Sequence, residues 1–193
     1  ARLPLNIFEP RYLKMTENAL ASNRMIGMVQ PRENGAETFG NTAPIYDVGC
    51  AGRITSFSET NDGRYLIELT GLCRFRVRCE LEGIEGYRRV EPNFHPYLAD
   101  LDDDSGKAAD RDRLLASVRQ FFENRGMTAD WSALGELPDE ALVTSLAMVT
   151  PLGTPEKQAL LECDDLVDRC RLLVSLMEFA AHESQAGTTP SCH

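Results

Sequence analysis

The stretch from Leu72 to Cys79, LCRFRVRC, sets two thiols and three guanidinium groups within one short run. Two cysteines can serve as half of a metal site or as a redox pair, and three arginines can grip carboxylates or phosphates. In an extended strand, alternate residues share a face. Cys73, Phe75, Val77 and Cys79 then point one way and Arg74, Arg76 and Arg78 the other. At about 3.3 Å per residue the two thiols stand roughly 20 Å apart, too far to pair or to share one zinc. The cysteine face, continuous with Phe75 and Val77, reads as core. The arginine face is the candidate anion-binding surface, unless it pairs with Glu59, Glu68 or Glu80 on neighbouring strands.

Little else in the chain suggests a reaction. The six cysteines at 50, 73, 79, 163, 170 and 192 contain no Cys-x-x-Cys, and His95, His182 and His193 are scattered, so no metal is expected. The cysteines read as reduced thiols, mostly buried, of a cytoplasmic protein. Phosphate-binding glycine loops, the Gly-x-Ser-x-Gly elbow and the His-Glu-x-x-His pair are all missing, so neither catalytic residues nor a cofactor is expected. Glu9 and Arg11 could pass for catalytic groups. They serve as well structurally, Glu9 accepting N–H groups at a helix start and Arg11 tying that helix to a sheet.

The elements follow from periodicity. Pro10 opens a helix to about residue 21, with Tyr12, Met15 and Ala19 at helical spacing. Residues 24–31 read as a short strand stopped by Pro31, and 33–44 as a loop. From Ile45 the period changes to two, and Asn61-Asp62-Gly63 marks a tight hairpin between two long strands. Residues 86–92 form another strand. These suggest a small, curved, largely antiparallel sheet or barrel with one short helix, over 1–96. An acidic linker spans 97–112. Helical patterns fill 113–183, from the stripe of Leu114, Leu115, Val118, Phe121 and Phe122 to that of Leu166, Cys170, Leu173, Val174 and Met177, with Thr154 as an expected N-cap. Residues 184–193 read as a disordered tail.

Charge divides the chain in the same place. Residues 1–95 hold 12 basic and 12 acidic side chains, whereas 96–193 hold 8 and 18, the source of the whole net charge of −10. That excess argues against non-specific nucleic-acid binding. No apolar run is long enough for a membrane span.

The segment LPLNIFEPRYLKM (3–15) closely resembles the opening motif of the Lon protease N-terminal domain, the LON substrate-binding domain. The resemblance continues through IGMVQP (26–31), residues 48–77 and YRRVEP (87–92), and resumes at EKQALLECDDLVDRCRLLVSLM (156–177). It implies an α+β fold, a PUA-like curved antiparallel β-barrel followed by a C-terminal helical bundle, with a further apolar strand expected upstream of Leu3. Lon proteins continue into ATPase and Ser-Lys protease domains for which these residues leave no room, so the likeness is to stand-alone bacterial LON-domain proteins. The implied role is binding without catalysis, of unfolded or degron-bearing polypeptide or of Lon protease itself. Exposed apolar side chains would carry it, with Tyr12, Met25, Met28 and Phe39 as candidates. The alternative is an RNA-binding PUA-like module, with Arg74, Arg76, Arg78, Arg88 and Arg89 as its footprint.

Overall fold

The computed structural model of the chain describes residues 2–32, 43–82, 85–102 and 110–186, the last six by backbone alone. The chain divides into two compact units, Ala1–Asp103 and Asp104–His193.

The first unit is an antiparallel sheet with one helix. Its elements are β1 (Arg2–Ile7), α1 (Pro10–Leu20), β2 (Met25–Met28), β3 (Val48–Glu59), β4 (Tyr65–Leu81) and β5 (Arg89–Asn93), then a 3-10 segment at His95–Leu101. In β1, Leu3, Leu5 and Ile7 alternate with Arg2, Pro4 and Asn6, the pattern of a half-buried strand. Pro4 fits because β1 is an edge strand, where a missing N–H breaks no ladder. Pro10 lies in the first turn of α1, where no intrahelical N–H bond is due. The hairpin turn between β3 and β4 uses Gly63 at φ 78°, a conformation an L side chain resists.

The sheet order is β1-β4-β3-β2, with β5 also paired to β4. β4 runs for 17 residues. Along one edge it pairs with β1 over Tyr65–Thr70 and with β5 over Arg76–Leu81, while β3 holds the other edge. Among the described residues nothing joins β2 back to β1 or β5, so the expected closed barrel is an open sheet. The physical reason is short reach. β2 has four residues and covers only Cys50 to Arg53 of β3, leaving nothing to complete the circuit.

One face of the sheet is covered by α1. Ile7, Ala19, Ile26, Ile54, Ile67 and Leu69 are buried there, with Leu3, Leu5, Tyr12, Leu13, Met15, Leu20 and Tyr65 packed around them. Each fully buried aliphatic side chain contributes about 1.5–3 kcal/mol. Further along β4, Phe75 is 2% exposed, and its ring meets Phe94 edge-on at 5.8 Å. A Cβ at Gly49 would lie 2.6 Å from the Met28 carbonyl oxygen and 2.9 Å from the Phe75 ring, so only glycine lets β2 and β3 close over this ring.

The second unit holds α2 (Arg111–Asn124), α3 (Trp131–Glu136), α4 (Asp139–Val149), α5 (Thr154–Glu162) and α6 (Leu166–Ala186). Its core gathers Leu114, Val118, Phe121, Leu142, Leu146 and Leu173, with the rest of the α6 stripe. Asp110 caps α2 by accepting the Arg113 N–H, and Asp130 caps α3 by accepting those of Ser132 and Ala133. Arg111 pairs with Asp139 and donates to the carbonyls of Gly135 and Leu137 at 2.8 Å, tying α2 to the α3–α4 junction. Thr154 is the first helical residue of α5 rather than its cap, which is Gly153. α6 runs on to Ala186, past the 183 boundary read from the sequence.

The division between units falls inside the acidic 97–112 stretch. Its first residues are structured rather than solvated linker. Tyr97 is 5% exposed, and the 3-10 segment lies against the part of β4 between its β1 and β5 partners.

Candidate polypeptide-binding surface

The arginine strip on β4 has three different fates. Arg74 is buried. Its guanidinium pairs in two-pronged fashion with Asp100, Nε to Oδ2 at 2.9 Å and Nη2 to Oδ1 at 2.8 Å, and stacks over the Tyr97 ring at 4.5 Å. Asp100 also accepts the Arg74 backbone N–H at 2.9 Å. That donor lies on the edge of β4 between the last β1 pairing at Thr70 and the first β5 pairing at Arg76. The carboxylate therefore takes the place of a missing strand, and the expectation of an outward-facing Arg74 is corrected. Arg78 is exposed and pairs with Glu91 at 3.1 Å. Arg76 is exposed and makes no ion pair among the described residues. Of the carboxylates that sequence alternation offered, Glu68 is taken by Arg2 and Glu80 by Arg88, while Glu59 makes no ion pair among the described residues. Arg89 is exposed, and Arg88 also donates to the Ala43 carbonyl at 2.5 Å.

The thiol face is corrected at one end. Cys73 and Phe75 are buried, but Cys79 is exposed opposite Glu91, beyond a register shift between Val77 and Cys79. Desolvation pushes the Cys50 and Cys73 thiols above their ordinary 9.0, with the Asp100 charge adding to it. Cys79 is raised by desolvation and then by Glu91. None is activated as a thiolate. Glu9 and Arg11 pair with each other at 2.8 Å at the start of α1.

The apolar candidates are dispersed. Tyr12 is half-buried against the α1 core beneath the Arg11 guanidinium at 4.5 Å. Met25 is half-buried and Met28 is 39% exposed, at opposite ends of β2. Phe39 lies outside the described residues. Sequence reasoning missed other exposed apolar groups, among them Phe8 at 63%, Leu66 at 46% and Phe57 at 44%. Phe57 sits in the alternating run Ser56-Phe57-Ser58, which signals an inward side chain. It does face the α1 side of the sheet, but at the outer edge, where its ring leans on Tyr65 at 5.1 Å and 62°. In the helical unit an apolar cleft of about 240 Å³ is lined by Phe122, Ala129, Ala133, Leu134, Leu146 and Val149.

The sequence that carries these exposed apolar side chains matches a known family across both units. The family model for the ATP-dependent protease La (LON) substrate-binding domain matches residues 1–178. The chain belongs to the LON substrate-binding domain family. Among curated relatives, Lon protease of Desulfovibrio desulfuricans is 28% identical over 179 residues, covering 89% of this LON domain and 19% of its own length. Lon protease of Dictyoglomus thermophilum is 23% identical, over 86% of this chain and 21% of that protein. The LON chain thus spans about a fifth of the length of these relatives. Among solved structures, the Lon N-terminal domain protein from Xanthomonas campestris superposes with a TM-score of 0.59 at 21% identity, covering 91% of this chain and 89% of that one. The N-terminal domain of Mycobacterium avium complex Lon protease gives 0.56 at 16%, covering 92% and 90%. These likenesses establish the α+β fold of a Lon N-terminal domain.

Proposed function

We propose that this LON domain is a non-catalytic module that binds unfolded or degron-bearing polypeptide and serves proteolysis, as a substrate-recognition part of a Lon protease or as an adaptor to one. The observation that carries the reading is the match to the substrate-binding domain over residues 1–178. The exposed Phe8, Met28, Phe57 and Leu66 of the first unit support it, because an unfolded segment is recognised through side chains that folding would bury. A PUA-like sheet, open and bulged, is the scaffold in this reading. No described helix is long and apolar enough to cross a membrane, and the setting we infer is cytoplasmic.

The RNA-binding alternative draws less support. Three of its five arginines, Arg74, Arg78 and Arg88, are already paired with carboxylates. The test is titration of a fluorescein-labelled, permanently unfolded protein against the chain. Saturable binding at tens of micromolar is expected, with none to the folded form of the same protein. Absence of binding at that concentration, or equal binding to both forms, overturns the proposal.

A further inference from the structure

We propose that the outer edge of β3, from Ser56 to Glu59, captures an extended polypeptide segment by strand addition; this rests on the polypeptide-binding reading above. β2 covers β3 only from Cys50 to Arg53, and the last bond to that side is the Ile54 N–H to the Arg24 carbonyl at 2.8 Å. A register shift between Ile54 and Ser56 follows, and the pairing with β4 is then unbroken from Ser56↔Glu68 to Glu59↔Tyr65. Across the hairpin the Thr60 N–H donates to the Arg64 carbonyl at 2.9 Å. Backbone groups alternate sides along an antiparallel strand, so Phe57 and Glu59 turn their N–H and C=O groups away from β4. Among the described residues no group bonds them there. Natural edges are commonly blunted by lysine or proline. This stretch, Thr55-Ser56-Phe57-Ser58-Glu59, has neither; its bulge lies at the Ile54–Ser56 end and its one charge, Glu59, at the other, leaving Phe57 between them.

The side chains around the edge specify the occupant. Phe57 is 44% exposed and braced by Tyr65, an apolar contact for one residue of an incoming strand. Arg24 and Arg53 are exposed at one end, and neither makes an ion pair among the described residues. Glu59 is exposed at the other end and is equally unpaired there. Arg53 and Glu59 are six residues apart, about 20 Å along a strand. The complementary ligand is an extended polypeptide segment, apolar at its centre, with an acidic residue at the arginine end and a basic residue at the Glu59 end. Backbone pairing supplies contact that does not depend on sequence, and the apolar and charged groups supply preference.

The probe is a nine-residue peptide of alternating valine and threonine with a central phenylalanine, a lysine near its N-terminus and an aspartate near its C-terminus. Bound antiparallel, it sets aspartate beside Arg24 and Arg53 and lysine beside Glu59. At saturation the amide exchange of Phe57 and Glu59 slows at least tenfold. N-methylation of one alternate set of peptide amides weakens binding at least tenfold, and methylation of the other set leaves it within twofold. This control leaves the protein untouched. Arg53→Glu weakens the same peptide several-fold at low salt, and the loss shrinks at high salt. If the peptide and the unfolded protein bind, yet the Phe57 and Glu59 amides are unchanged and both methylated peptides bind alike, strand addition is overturned and the polypeptide-binding reading stands. If neither probe binds, both fall.

Discussion

Arg74 decides what the arginine strip on β4 is. Arg76 and Arg78, two and four residues on, face water, but Arg74 meets a carboxylate 26 positions later in the chain, and Asp100 holds its guanidinium and its backbone N–H together. Nothing in the local alternation announces Asp100, which lies in a stretch that reads as acidic linker. Removing one partner of a buried pair strands the other, at a cost of about 3–5 kcal/mol. Arg74→Ala is expected to lower stability by about 3 kcal/mol in urea unfolding, while Arg76→Ala, exposed one pleat further on, stays within about 0.5 kcal/mol. A second residue-scale prediction concerns Asp62 in the hairpin. Hydrogen bonds from Arg64 and Thr60 hold its carboxyl at about 2, below the ordinary 3.8. A folded value below the unfolded one means that its contribution is present above about pH 3.8 and fades as pH falls toward about 2. NMR titration should place its midpoint near the lower value and move it toward the upper one in Arg64→Ala.

At the scale of elements, much was legible. Pro10 marks the start of α1, the Asn61-Asp62-Gly63 turn joins β3 to β4, and the stripe through Cys170 and Leu173 gives α6. β1 carries its alternation openly in Leu3, Leu5 and Ile7, with Pro4 obscuring it, since proline argues against a strand until the strand is known to be an edge. α3 is too short for a helical period to show in six residues. The register shifts in β3 and β4 were also hidden, because a bulge is set by how two strands meet rather than by either alone. They move Cys79 out of the core and turn the backbone of Phe57 away from β4. Gly49 and Gly63 separate two uses of glycine. Gly63→Ala meets nothing within 4 Å and carries only the strain of its positive φ, about 1–2 kcal/mol. Gly49→Ala drives a methyl into the Met28 carbonyl and is expected to cost about 3 kcal/mol, the upper part of the overpacking range. Urea unfolding of both variants checks the order.

At the scale of the whole molecule, each of the two main cores lies within one unit, the α1 face of the sheet in the first and the helical stripes in the second. The single tryptophan, Trp131, belongs to the helical core, so its fluorescence reports on that unit. Leu173 is fully buried there, and Leu173→Ala should destabilise the bundle by about 3 kcal/mol. The Trp131 unfolding midpoint should drop while amide protection in β4 stays as in the parent chain; loss of protection in both would mean a single cooperative fold. The division itself was visible in the charge step and the change of period, because both are local properties summed along the chain. So were the α+β character, though not the open sheet in place of a barrel, most of the helices, the long hairpin and the membership of the LON family. What only the tertiary structure decided is which surfaces remain open. Whether Arg74 is a ligand or a buried partner depends on Asp100 arriving from afar. Whether Phe57 is core or contact depends on β2 stopping after four residues. Both are settled by where other strands end, and a strand's own residues carry no record of that.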